Sequence, residues 1–195
     1  MMAAEPLTRE QILAAAVEAL RRYGPAKTTV VDVAQALGVS HGSVYRHFPT
    51  KAALRAAVVQ QGLAKKAGKL RPIAEESGPA VDRLHRWLLA LIGFKRDFAR
   101  EDPELFGTYA MIEDDAEVVR ELVAVLTGQI KRILEDGVES GEFRAAVLNG
   151  GAMAIWDATV LFHHPVHRHE WTDPKIDEQF ERVWQLLLDG LAAGY

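Results

Sequence analysis

Apolar residues along the chain recur three and four positions apart, the spacing of one helical face, and no run of alternating residues bounded by turns predicts a strand. Thr8-Arg9-Glu10-Gln11 reads as a capping box, with Leu7 and Ile12 at staple spacing. The helix it opens has a predicted buried stripe of Ile12, Leu13, Ala16, Val17, Leu20 and Tyr23, and Gly24-Pro25 ends it. Thr29 caps a short second helix, with Asp32 in its first turn, Val30, Val33, Ala34 and Leu37 pointing inward, and Gly38 as the stop. Ser40 caps a third, with Val39 and Val44 stapled, ending near Phe48-Pro49 because proline disfavours helix in the residue before it. Thr50 caps a fourth that runs to about Lys69, and the Pro-, Gly- and Ser-rich stretch 72–79 predicts a linker.

Longer helices follow. Trp87, Leu88, Leu91, Ile92, Phe94 and Phe98 predict one over about 80–100, and Asp102-Pro103 starts another by the N-cap and N1 rule. A further helix spans 118–139 and stops at Gly141; a nearly all-apolar segment covers 145–162; Asp173-Pro174 starts the last. The prediction is an all-α fold of about nine helices.

Two of the short helices flank the turn Gly38-Val39-Ser40-His41. Ala34, Gly38 and Val44 stand where two steeply crossed helices need small residues, a left-handed turn and a buried contact, which is the spacing of a helix-turn-helix. In such a unit the second helix enters the DNA major groove with its N-terminal residues toward base edges. Those residues are Ser40, His41, Gly42 and Ser43, followed by Tyr45 and Arg46. The small ones let the helix sit deep, Ser43 and Tyr45 offer hydroxyls to phosphates, and His41 can donate to or accept from a base edge. Two more helix starts, at Thr28-Thr29 and Thr50-Lys51, pair backbone amides with a hydroxyl, and Lys51 adds an ammonium, as phosphate clamps do.

Charge sharpens this division. The 195 residues carry a formal net charge of -4, which alone argues against a nucleic-acid partner, but residues 1–71 total +7 and residues 72–195 total -11. A basic module that meets an anion is joined to a larger acidic part. With no cysteine there is no disulfide, thiolate nucleophile or cysteine-ligated metal, and the longest run without Asp, Glu, Lys or Arg is 13 residues, against about 20 for a membrane span. The start of the sequence lacks the pattern of a signal peptide, so the expectation is a cytoplasmic chain with no membrane partner. No nucleophile elbow, phosphate-binding glycine loop or His-Glu-x-x-His occurs, which argues against an enzyme, and no cofactor is implied.

The string Thr28-Thr29-Val30-Val31-Asp32-Val33-Ala34, then Gly38-Val39-Ser40, then Gly42-Ser43-Val44-Tyr45-Arg46-His47-Phe48-Pro49-Thr50-Lys51, resembles the DNA-binding signature of the tetracycline-repressor (TetR) family over roughly residues 8–59. The resemblance implies an N-terminal three-helix DNA-binding domain over 1–54, a connecting helix over 50–70, and a ligand-binding and dimerisation domain over 71–195. It further implies a homodimer on an inverted-repeat operator in double-stranded DNA, repression as the default, and release by a small molecule. By position it assigns phosphate contacts to Tyr45, Lys51 and the Thr28-Thr29 pair, base-reading positions to His41 and Gly42, and a place near the DNA backbone to His47.

Four weaker patterns remain. Trp87, Leu91, Phe94, Phe98, Phe106, Tyr109 and Trp156 are large side chains of the kind that line a pocket for an apolar or aromatic effector, although for any single one core packing is the plainer reading; Asp157, a polar group in an apolar helix, could receive a cationic ligand or face solvent or a dimer partner. The stripe Phe180, Val183, Trp184, Leu187, Leu188 and Leu191, with Ile155, Thr159 and Phe162 in the segment before, suits two helices per subunit meeting as a four-helix bundle. The stripe alone serves an intramolecular core just as well, and the family resemblance favours the dimer. Residues 163–169 hold four of the seven histidines, which suggests a metal site, but Pro165 denies them the i, i+4 placement of two ligands, so a polar loop is the plainer reading. Glu113-Asp114-Asp115 reads as a solvated acidic turn. A helical protein-interaction module without DNA binding is the alternative function.

Overall fold

The computed structural model describes residues 6–112 and 117–192, apart from the side chain of Lys66. Among these residues it contains ten α-helices and three 3-10 turns, with no strand beyond one isolated bridge between Phe143 and Ala192. The acidic run at Glu113, Asp114 and Asp115 lies outside the described residues. The described residues form two compact units, those within 1–63 and 101–119, and those within 64–100 and 120–195.

The first unit contains α1 (Arg9–Lys27), α2 (Val30–Ala36), α3 (His41–Tyr45), the first half of α4 (Lys51–Glu75) and α6 (Pro103–Ala110). Thr8 opens α1 with the capping box, its hydroxyl accepting from the Gln11 N–H while its own N–H donates to the Gln11 side chain. Gly24, at φ 75°, breaks the helical path, and Pro25–Lys27 make a separate turn beyond it. Tyr23, expected in the buried stripe, is 46% exposed, because the break removes the neighbours a continuous helix would have given it. The core of this unit is Ile12, Leu13, Ala16, Leu20, Val30, Val33, Ala34, Val44, Phe48, Leu54 and Val58. α6 begins at Asp102-Pro103 as expected and packs on α1, where Arg21 donates to Asp102 at 2.8 Å.

The second unit holds the rest of α4, α5 (Ala80–Glu101), α7 (Glu117–Glu139), α8 (Gly151–Ala158), α9 (Val160–His163) and α10 (Ile176–Leu191). Leu84, Trp87, Leu88, Leu91, Leu126, Ile130, Ile133, Phe162 and Phe180 are buried in its core. The predicted linker is corrected: α4 continues through Pro72 to Glu75, and only Ser77-Gly78-Pro79 separates it from α5. The buried guanidinium of Arg83 holds the end of α4 by donating to the carbonyls of Ala74 and Glu76. The apolar segment 145–162 is three pieces, a 3-10 turn over Ala145–Leu148 and then α8 and α9, parted where the Thr159 hydroxyl bonds back to the Ile155 carbonyl at 2.8 Å. The last helix starts at Ile176, because the Asp173 carboxylate turns back on the Lys175 N–H in a turn of its own.

Glu142 closes the unit at a distance. Its carboxylate accepts from the N–H groups of Ala80 and Val81 at 3.0 and 3.2 Å and from the Ser140 hydroxyl, capping α5 from 62 residues away. Burial alone would raise its pKa, but these bonds and the nearby Arg83 outweigh it and hold the carboxyl below its ordinary range. Beside it Gly137 is close-packed, since a Cβ there would overlap the Phe143 ring. No described helix is long and apolar enough to cross a membrane.

Candidate nucleic-acid interface

α3 is short because its sequence anchors it at few points. Ser40 caps its start by accepting from the Ser43 N–H, Val44 is its one buried side chain, and Phe48 follows into the core. Ser43 is half-buried and the rest of it is exposed. His41, Gly42, Tyr45 and Arg46 are exposed, and the His41 and Tyr45 rings meet edge to face with centroids 6.4 Å apart. The hydroxyls of Ser40 and Ser43 are 2.9 Å apart, and Arg46 reaches Ser43 at 3.5 Å, so one face of the helix carries a hydroxyl pair with a guanidinium beside it. An added Cβ at Gly42 would meet only the Ser40 hydroxyl, at 3.8 Å, so the bare backbone there is not demanded by packing.

Thr28 is corrected. It is 4% exposed, its hydroxyl donates to the carbonyls of Ala19 and Gly24 at 3.1 and 2.8 Å, and its N–H bonds to Gly24, so neither group is free for a phosphate. The residue locks the turn that follows the Gly24 break. Thr29 is exposed but engaged: its N–H and hydroxyl both donate to Asp32 at 2.7 Å while its oxygen accepts from the Asp32 N–H. These bonds from Thr29, and then the charge of Lys51, hold the Asp32 carboxyl below its ordinary range. Lys51 sits half-buried at the start of α4, where Thr50 accepts from the Ala53 N–H. Its ammonium gives one of three donors to the Ala26 carbonyl at 3.1 Å, which leaves two to point elsewhere.

Sequence reasoning passed over Arg9. Its guanidinium lies 4.3 Å from the centre of the Phe48 ring and donates to the His47 carbonyl at 2.9 Å, so it holds the segment leaving α3. The signal was available: a cation in the first turn of a helix opposes the dipole and asks for another reason.

The expected pocket side chains divide between the units. Phe106 and Tyr109 belong to the first; Trp87, Leu91, Phe94, Phe98, Trp156 and Asp157 belong to the second. Trp87 and Leu91 are fully buried core, Phe94 and Trp156 are half-buried, and Asp157 is exposed. A cavity of about 410 Å³ in the second unit is lined instead by Thr127, Gly128, Leu134, Val147, Ala152 and Met153 among others, and another of about 310 Å³ by Glu76, Arg83, Asp136 and neighbours. Of the suggested interface residues, Ile155, Thr159 and Phe162 are buried within their own unit, as are Phe180, Trp184 and Leu191, while Val183, Leu187 and Leu188 are half-buried. The exposed large apolar side chains described on these helices are Met153 and Leu186, 46% and 74% exposed.

His163 leaves the histidine loop altogether. It is 1% exposed, lies tilted against Trp156 with ring centroids 4.3 Å apart, and has Nε2 3.3 Å from the Thr159 hydroxyl. Burial first, and then the charge of the buried Lys95, push its pKa down to about 3. Among the described residues no three of His, Cys, Asp or Glu converge as metal ligands, so the metal reading gains nothing from the fold.

A short, exposed helix that follows a capped helix across a tight turn, in an all-helical chain, is the arrangement of a helix-turn-helix DNA-binding protein. Residues 12–58 match the family described as "Bacterial regulatory proteins, tetR family", and residues 80–184 match that described as "Tetracyclin repressor-like, C-terminal domain". The chain belongs to the TetR family of transcriptional regulators. The HTH-type transcriptional regulator YhgD of Bacillus subtilis is 28% identical over 142 residues, 70% of this chain and 72% of that protein. The HTH-type transcriptional regulator TtgR of Pseudomonas putida is 47% identical over 47 residues, 24% of this chain and 22% of TtgR. The fold is shared with FadR from Bacillus subtilis, solved with stearoyl-CoA, at a TM-score of 0.65, 20% identity and coverage of 94% and 100%. It is also shared with SmeT, the repressor of the Stenotrophomonas maltophilia multidrug efflux pump SmeDEF, at 0.66, 21% identity and coverage of 95% and 91%. The relatives are regulators, and the protein is a transcriptional regulator rather than an enzyme.

Proposed function

We propose that the protein is a ligand-released repressor that binds an inverted-repeat operator as a homodimer, with α3 in the major groove. The observation that carries this reading is the outward face of α3, where His41, Gly42, Tyr45 and Arg46 are exposed while Val44 alone is buried. In that role His41 and Gly42 meet base edges. Ser40, Ser43, Tyr45, Arg46 and Lys51 meet phosphates, with His47 and Thr29 at the edge of the footprint. A two-fold dimer sets two such helices about 34 Å apart, one turn of DNA. The dimer forms through α8 and α10 by their uncovered side chains, Met153 and Leu186 first.

The effector has an apolar or aromatic body and is held in the second unit, where Phe94 and Trp156 keep uncovered ring surface. Two structural neighbours lend this support: FadR was solved with stearoyl-CoA, and SmeT with triclosan. Binding favours a conformer that no longer fits successive major grooves, and the shift in operator affinity equals the ligand's preference between the two conformers.

Selection of DNA from a random pool by the purified protein tests the reading. It should enrich an inverted repeat, and Lys51→Ala should weaken binding to every sequence and lower the salt slope by about 1. Tyr45→Phe and Lys51→Ala both binding the selected site like the wild type would overturn the docking of α3.

A further inference from the structure

Arg9 is fixed beside the chain that leaves α3, yet most of its donors are unused. Its guanidinium carbon lies 4.3 Å from the centre of the Phe48 ring, and Nη1 donates to the His47 carbonyl at 2.9 Å. Phe48 is 2% exposed and belongs to the core of the first unit, so the ring is a firm floor. Of the five N–H donors of a guanidinium, one goes to His47, and no described residue accepts from the others. Arg9 is exposed, so those donors are open to a partner from outside the chain.

That partner is an anion. Arg9 is the first residue of α1, where the helix dipole disfavours a cation and favours a negative group. Glu10 follows it, so the turn has no net charge to attract anions from a distance, and the contact has to come from the placing of Arg9 itself. The placing is favourable, because an arginine already held by a ring and a carbonyl loses little freedom when it binds. Arg46 and Lys51, on either side of the His47 carbonyl in sequence, are the phosphate-facing cations of the proposed footprint. We propose that Arg9 is a further phosphate ligand for DNA, supplied by α1 from outside the helix-turn-helix, and that it grips one phosphodiester at the flank of each half-site. The inference rests on α3 docking in the major groove. It also gives Arg9 two tasks at once, since the group that meets the phosphate is the group that holds the segment leaving α3.

The test uses the full chain and the DNA sequence selected by the wild type, with single phosphates replaced in turn by neutral methylphosphonates. Arg9→Gln should weaken binding about tenfold and lower the salt slope by about 1. Arg9→Lys should keep the slope, because the charge remains, and still lose about threefold, because an ammonium lacks the planar fork. One flanking phosphate should cost the wild type about tenfold when neutralised and cost Arg9→Gln less than about twofold, a coupling that loss of the Phe48 contact alone does not give. Weaker binding by Arg9→Gln with an unchanged slope and no such phosphate would make Arg9 a brace for α3 and overturn the proposal. Wild-type affinity in Arg9→Gln would overturn it too, and both outcomes leave the repressor reading standing. If the wild type selects no DNA at all, the repressor reading falls and the phosphate contact falls with it.

Discussion

The two units are held by different kinds of polar contact. In the first, each helix start is set by a bond between residues three apart, Thr8 with Gln11, Thr29 with Asp32, Ser40 with Ser43 and Thr50 with Ala53, while Arg9 with His47, Lys51 with Ala26 and Arg21 with Asp102 tie the helices together. In the second the bonds cross the sequence: Arg83 with Asp136 over 53 residues, Gln129 with Ala67 and Glu142 with Ala80 over 62. Short-range caps set where each small helix begins, so α3 keeps its start with Val44 as its one buried side chain. Long-range bonds make each long helix depend on the others, which is the arrangement a sensing body needs if one binding event is to be felt elsewhere.

That contrast predicts a hierarchy of damage. The largest effect belongs to Asp136→Ala, which leaves the buried Arg83 guanidinium without its carboxylate and should cost about 3 kcal/mol in urea unfolding. A loss below about 1 kcal/mol would show that the long-range bonds of the second unit are no stronger than surface pairs. Gly137→Ala comes next, since its Cβ would overlap the Phe143 ring, with an expected loss of about 2 kcal/mol unless the ring finds another seat.

Acid should separate the units by a graded effect. His163 is neutral in the fold down to about pH 3 and titrates near 6.5 when unfolded, so the unfolded chain binds the extra proton between those values. Stability is therefore intact above pH 6.5 and falls as pH drops below it, by up to about 1.4 kcal/mol per pH unit, and His163→Leu should remove that slope. The slope between pH 6.5 and about 5 surviving in His163→Leu would assign it to another group. The smallest effect is local: Thr29→Ala should cost about 1 kcal/mol and leave the second unit's unfolding unchanged. Loss of the second unit's signal at the same denaturant concentration in Thr29→Ala would erase the contrast.

The same contrast explains what could be read in advance. The caps at Thr8, Thr29 and Ser40, the stops at Gly24 and Gly38 and the start at Asp102-Pro103 were legible, because each is a contact between residues a few positions apart. Pro72 reads locally as the edge of a linker, because the Arg83 and Gln129 bonds that carry α4 past it come from distant helices. Thr28 reads locally as a phosphate ligand, because nothing near it in sequence shows that its hydroxyl turns inward to Ala19 and Gly24 once Gly24 bends the chain.

By itself the sequence determined the helical class, the helix-turn-helix with its capped starts, the basic head and the acidic body, all of which follow from local spacing and summed charge. Tertiary structure alone decided which aromatic side chains are core, that His163 is buried and neutral beside Lys95, and that α4 runs unbroken to Glu75. Burial and long-range hydrogen bonds arise only when distant segments meet, and no local pattern in a sequence records which segments those are.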